Sequence, residues 1–255
     1  MRSFVVTVLA DEVELASDVL WQLGVRAIEE RSGDDGHVEL WTAVGEEAEA
    51  AERATAALGE RWSTRLVDIV DGSAETWREY AGPIWIDDGL VVVPAWRQDE
   101  FDDGVVTIQI EPGGAFGLGD HPTTLLSLRA ARRRLGVGRS VLDVGCGTGV
   151  IAVMAAVIGG SSVRAVDVAD AAVEATRDNA ARTRVADQVD ADTAPAGDLD
   201  GSFHLVVANI LAPTLVELAA DLRRLTASDG RLVISGILAD RHDHVLSALA
   251  PMVVE

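Results

Sequence analysis

The sequence predicts an α/β protein: a doubly wound, mostly parallel sheet with a small N-terminal α+β domain of ferredoxin-like type. Three observations predict it. From residue 104 onward, short apolar β-rich runs alternate strictly with helical patterns, as in a parallel sheet covered on both faces. The first seventy residues instead read strand, helix, strand, strand, helix, strand, the βαββαβ order of a split sandwich. Between the two, regular patterning loosens. The expected division is a domain over 1–72, a connector over 73–103 and a larger domain over 104–255.

In the first domain SFVVTVLA reads as a strand and ELASDVLWQLG as an amphipathic helix closed by Gly24. RAIEER and HVELWTAV form a strand pair across the turn SGDDG. EEAEAAERATAALG is a second helix with acids in its first turn, and STRLVDIVD a last strand. In the connector, ETWREY reads as a short helix, GLVVVPAW as a strand ending at Pro94, and RQDEFDD as a solvated loop. Its aromatic residues Trp77, Tyr80, Trp85 and Trp96 are expected to pack a domain junction rather than a ligand.

The larger domain opens with the strand GVVTIQIEP, the loop GGAFGLGDHPTT and a helix from about His121 to Leu135. Strands SVLDVG, SVRAVDV, FHLVVAN and GRLVISGI then alternate with helices TGVIAVMAAVIGG, DAAVEATRDNAAR, APTLVELAADLRRL and DRHDHVLSAL, with QVDAD a weaker strand signal. Ligands in such a sheet bind beyond the carboxyl ends of the strands.

Composition narrows the function classes. The chain of 255 residues carries 42 acids against 21 basic residues, every one of them arginine, for a formal charge of −21. Residues 1–111 hold 25 of the acids and 8 of the arginines. Such a field repels nucleic-acid phosphates and attracts a basic partner, unless the acids serve only solubility. No apolar run approaches the ~20 residues of a membrane span, and the N-terminal FVVTVLA is broken at once by Asp11 and Glu12, unlike a secretory signal. The single cysteine, Cys146, permits no intrachain disulfide and fits a reducing compartment, so a cytoplasmic location is expected.

The chemistry gathers at strand ends. VLDVGCGTGVIAV, residues 141–153, has glycine at 145, 147 and 149, between an apolar strand and an apolar helix. Glycine there permits positive φ and close approach of a ligand to bare backbone, and the helix start offers unpaired N–H groups. Asp167 ends the next strand, twenty-two residues beyond Gly145, where an acid accepts hydrogen bonds from ribose hydroxyls. Its structural alternative is a helix cap, a duty for which Asp170 reads as better placed. Together these features imply an adenosine-bearing ligand. The dinucleotide pattern fails because Val150 stands where its third glycine belongs, and a P-loop fails for want of lysine. Asp143, two residues before the bend, suits a ligand with ammonium and sulfonium charge better than a pyrophosphate. The reading that survives is S-adenosylmethionine.

At DVGCGTG the chain resembles the class I S-adenosylmethionine-dependent methyltransferases, with their Rossmann-like fold. GGAFGLGDHPTT at 113–124, VVANIL at 206–211 and SGIL at 235–238 are similar to the ribosomal protein L11 methyltransferase family. The resemblance runs along nearly the whole chain. It implies transfer of methyl groups to lysine or N-terminal amines of a basic ribosomal protein, recognised by the N-terminal domain, with no direct binding of nucleic acid or membrane and no metal. Carried over by position, cofactor contacts fall on Thr124, Gly145, Asp167 and Asn209, beside the backbone of Gly147. Asn209 is also the implied catalytic group, its neutral side-chain carbonyl accepting from the incoming amine. For Thr124 and Asn209 the structural alternative is a helix cap; Asp120 could replace Thr124 in that duty.

No general base is evident. His121 is nearest in sequence but sits in a loop beside proline, and His242 and His244 read as solvent-facing. Cys146 is expected to contribute backbone only. The chain departs from the family at Leu118 and Asp120, where threonines are usual, which leaves open a different acceptor. It also stops at PMVVE, where a last pair of strands would be expected. A methyltransferase for another protein or a small molecule, and a cofactor-binding module without turnover, stand as alternatives.

Overall fold

Apolar β-branched runs and the helical repeats between them fold as two compact units, Met1–Ala81 and Gly82–Glu255. The computed structural model describes residues 2–23, 25, 28–33, 36–42, 54–59, 61–68, 81–111, 121–237 and 242–254. In the first unit β1 (Arg2–Leu9) leads through a 3-10 turn (Ala10–Glu12) into α1 (Val13–Gln22). Three strands follow: β2 (Ile28–Ser32), β3 (His37–Thr42) and β4 (Ser63–Asp68). The sheet runs β2-β3-β1-β4 with every neighbour antiparallel. Placing β3 between β1 and β2 is the interleaved order of a ferredoxin-like sandwich. Phe4, Val6 and Val8 project from β1 into a core shared with Ala16, Leu20, Leu40 and Leu58. Of the expected second helix, residues 54–58 are helical and 43–53 lie outside the described residues.

The second unit begins with β5 (Ile84–Asp87), β6 (Leu90–Pro94) and β7 (Val106–Ile110). They form their own sheet, β5 antiparallel and β7 parallel to β6. Part of the expected connector is therefore ordered sheet in this unit. Trp85 is 43% exposed and meets Phe101 edge-on at 5.4 Å, so it does not pack as a buried aromatic. ETWREY lies outside the described residues.

The main sheet contains β8 (Ser140–Val144), β9 (Ser162–Val166), β10 (Val189–Asp192), β11 (Phe203–Asn209) and β12 (Thr226–Ser235). All pair in parallel, in the order β10-β9-β8-β11-β12. The chain winds outward from β8 to β10, then returns to β11 on the other side. That reversal opens a crevice beyond the carboxyl ends of β8 and β11. The helices are α2 (Pro122–Arg134), α3 (Val150–Val157), α4 (Asp170–Arg182), α5 (Ala212–Glu217), α6 (Ala219–Leu225) and α7 (Asp243–Ala248). α3 is apolar all round and buried over Val150–Ala156, as a helix inside the core must be. Leu142, Leu205, Leu215 and Leu222 are fully buried, each contributing roughly 2–3 kcal/mol of hydrophobic stabilisation. Among the described residues no helix is long and apolar enough to cross a membrane.

Two helical expectations change. APTLVELAADLRRL is two helices separated at Leu218 (φ −86°, ψ 0°), with its one proline, Pro213, in the first turn; Leu215, Ala219, Leu222 and Leu225 all reach the core. Of DRHDHVLSAL only Asp243–Ala248 is helical among the described residues.

Asn179, fully buried in α4, binds two distant loops. Its Oδ1 accepts from the Glu111 amide at 2.9 Å, and its Nδ2 donates to the Glu111 and Thr148 carbonyls at 3.0 and 2.9 Å. The end of β7 is thereby tied to the glycine bend. Replacing Asn179 with alanine strands three backbone groups and should lower unfolding stability by about 2–4 kcal/mol. Denaturant melts of N179A check this; a loss under half a kcal/mol would show the bonds to be incidental.

Candidate functional site

The bend after β8 has the backbone that its glycines require. Gly145, Gly147 and Gly149 take φ of 73°, 55° and 75°, the left-handed region that disfavours a β-carbon. Space forbids one as well. A Cβ on Gly145 would lie 2.3 Å from Ile210 Cγ2, and one on Gly149 2.6 Å from Thr176 Cγ2. A Cβ on Gly236, in the SGIL stretch after β12, would lie 2.4 Å from the Ile210 carbonyl oxygen. The amides of Gly145 and Cys146 both donate to the Val166 carbonyl, at 2.8 and 3.1 Å, stitching the bend to the end of β9.

Asp167 sits half-buried one residue beyond β9. Its Oδ2 accepts from the Gly147 amide and its Oδ1 from the Ala169 amide, both at 3.0 Å. It is thus joined to the bend and also organises the entry to α4. Asp170 does not cap that helix: Ala169 is the cap residue and Asp170 lies inside the first turn, where its charge favours the dipole. Thr176, on α4, donates to the Gly147 carbonyl at 3.2 Å and to Cys146 Sγ at 3.3 Å.

Across the crevice Asn209, the last residue of β11, donates from Nδ2 to Thr124 Oγ1 at 3.2 Å. Thr124 is buried in the first turn of α2 and is not its cap. His121 is: its exposed imidazole Nδ1 accepts from the Thr123 amide at 3.3 Å and lies 2.8 Å from the Thr123 hydroxyl. Ser235, at the end of β12, donates to the Thr123 carbonyl at 3.2 Å. The start of α2 and the ends of β11 and β12 therefore meet. The two halves of the site touch through Ile210, the neighbour of Asn209 that packs on Gly145. Leu118 and Asp120 lie outside the described residues. His242 and His244 are exposed, as expected.

Beneath the bend lies an electrostatic tension. Asp143 is buried; its Oδ2 accepts from the Ala152 amide at 3.1 Å, while Oδ1 has no hydrogen-bond partner among the described residues. Burial pushes its carboxyl up to about 7, the like charge of Asp167 adding to the effect. Burial likewise raises the Cys146 thiol to about 12, so it is no thiolate nucleophile. Among the described residues no His, Cys, Asp and Glu group is arranged to hold a metal ion.

A family profile described as ribosomal protein L11 methyltransferase matches residues 47–254. The chain belongs to the ribosomal protein L11 methyltransferase family. It is 38% identical over 198 residues to the ribosomal protein L11 methyltransferase of Geotalea daltonii, covering 72% of this chain and 63% of that protein. With the counterpart from Geobacter metallireducens it shares 38% over 204 residues, 80% of this chain and 64% of that protein. The crystal structure of ribosomal protein L11 methylase from Lactobacillus delbrueckii subsp. bulgaricus superposes with a TM-score of 0.62 at 32% identity. That superposition covers 67% of this chain and 88% of the other. The chain thus spans about 63% of the length of the curated relatives it matches. Its main domain has the class I methyltransferase fold of the L11 methyltransferase family.

Three positions that shape the site escaped sequence reading: Thr176, Asn179 and Ile210. The first two are single polar residues on α4, recognisable only by what lies across from them.

A carboxyl whose folded pKa exceeds its unfolded value costs stability as pH climbs between the two. For Asp143 that window runs from about 4 to about 7, and the full cost above it is of order 4 kcal/mol. D143N should therefore be more stable than the parent at pH 8, with the gap closing toward pH 4.5. Parallel denaturation at the two pH values tests this; a gap independent of pH would clear Asp143 of the effect.

Proposed function

We propose that this chain transfers methyl groups from S-adenosylmethionine to amino groups of ribosomal protein L11, lysine side chains or the N-terminal amine. The observation that carries the reading is the joined pair at adjacent strand ends, a left-handed glycine bend and the carboxylate of Asp167 hydrogen-bonded to its tip. The residues present fit such a cofactor. The bend is bare of β-carbons where a ligand must lie close, and a buried acceptor, Asp143 Oδ1, awaits a donor below it. When bound, S-adenosylmethionine supplies an electrophilic methyl group.

The chain's own residues do the rest. Gly145 and Gly147 present main chain without side chains. Each oxygen of Asp167 accepts one amide and retains a lone pair for a ribose hydroxyl. Thr124, at the start of α2, offers hydroxyl and helix-end amides to a carboxylate. Its bond to Asn209 Nδ2 fixes the plane of the Asn209 amide. Asn209 Oδ1 can then accept from the incoming amine without donating a proton to it, which keeps the nitrogen lone pair for attack. Alignment and exclusion of water, rather than a strong base, lower the barrier. The density of acids in residues 1–111 suits a basic protein substrate.

Incubating the chain with tritiated S-adenosylmethionine and purified L11 should label that protein. Binding of the cofactor without transfer to L11 would redirect the search to another acceptor; binding of NAD in its place would end the proposal. D167A should cost about 1–3 kcal/mol of cofactor affinity by calorimetry. N209A should slow transfer at saturating cofactor by at least tenfold, and an unchanged rate would remove Asn209 from the chemistry.

A further inference from the structure

The opposite end of the main sheet holds a cluster of another sign. Between Asp120 and Asp143 the sequence has no acid and five arginines, in a chain where acids outnumber arginines two to one. Two of these, Arg134 at the end of α2 and Arg139 before β8, line a cleft of about 400 Å³ with His204 of β11 and Arg231 of β12. Arg231 pairs in register with Leu205, and Leu205 with Val141, so the cleft lies at the amino ends of the strands. A strand's length, roughly 15 Å, separates it from the glycine bend.

Arginine at the end of a helix often serves only the dipole. Arg139, His204 and Arg231 lie on other elements, so four separate parts of the chain deliver cationic or hydrogen-bonding groups to one cleft. His204 is anchored there by Ser140, whose Oγ lies 2.9 Å from Nδ1. The one carboxylate lining the cleft, Asp229, accepts from Arg139 at 2.9 Å. That bond holds the Asp229 carboxyl below its ordinary range.

We propose that this cleft binds a phosphate group, carried by a small phosphorylated ligand or by a nucleic-acid strand, with Asp229 an internal anion that the phosphate displaces from Arg139. Guanidinium forks match phosphate oxygens in pairs, whereas Asp229 takes a single bond from Arg139. The volume suits a ligand of mononucleotide size. The net negative charge of the chain does not forbid it. At physiological salt a field is screened within about 8 Å, so the nearby arginines decide.

Calorimetry on the full chain tests the cleft without recourse to methyl transfer. Uridine 5′-monophosphate and inorganic phosphate should bind where uridine does not. R134A and R231A should each weaken the nucleotide at least fivefold, while D229N should tighten it severalfold. All three side chains are exposed, so thermal melts should match the parent. Decauridylate binding more than tenfold tighter than the mononucleotide would identify a strand as the source of the phosphate, and equal binding a small ligand; either supports the site. A mononucleotide that binds no better than uridine, or that ignores all three substitutions, overturns it.

Discussion

The candidate site rests on a main-chain bend that no β-carbon can enter. At Gly145 and Gly149 the left-handed backbone and the packing of Ile210 and Thr176 exclude any other residue independently. Once the bend is fixed, the Gly147 amide points at Asp167, the Val166 carbonyl takes two amides, and Ile210 brings Asn209 into the crevice. Asp167 is held by that turn directly, Asn209 through Ile210, and Thr124 through its bond with Asn209.

Charge is arranged around it with care for dielectric. Asp167 remains half-buried and accepts two backbone amides, from Gly147 and Ala169. Asp143, only two residues before the bend, is sealed under α3 with a single amide partner and a carboxyl raised by burial. Two acids of one motif thus occupy opposite regimes. The half-buried one is suited to hydrogen bonding, and the hidden one stores electrostatic strain beneath the bend. Elsewhere acids are spread over the surface, some of them paired with arginine, as at Arg61 with Glu12 and Arg65 with Glu39.

Much of this could be read from the amino acids. The parallel strands were legible because apolar β-branched runs alternate with helical repeats, and the bend because three glycines at alternate positions suit a bare turn and little else. Asp167 was found by its distance from that bend. What failed were features set by tertiary context. Leu218 leaves helical dihedrals in a run whose one proline, Pro213, sits in the first turn, so nothing in the sequence marks the interruption. Asp170 looked like a cap and is not, because helical dihedrals begin at Asp170 itself and Ala169 takes the cap position. The strand ending at Pro94 was legible, but Ile84–Asp87 was not, since four residues are too few to announce a period. Asn179 was invisible because its three partners lie some thirty and seventy positions away.

Ile210 has a wider meaning. It is wedged between Gly145 of the first core strand's bend and Gly236 beyond the last strand, with no room for a β-carbon on either. Three loops from β8, β11 and β12 are therefore keyed together like stones around a wedge. A fragment ending before residue 236 would carry the glycine motif and Ile210 yet lack the Gly236 turn that closes on the Ile210 carbonyl. The crevice is a property of the finished sheet, set jointly by the ends of β8, β11 and β12.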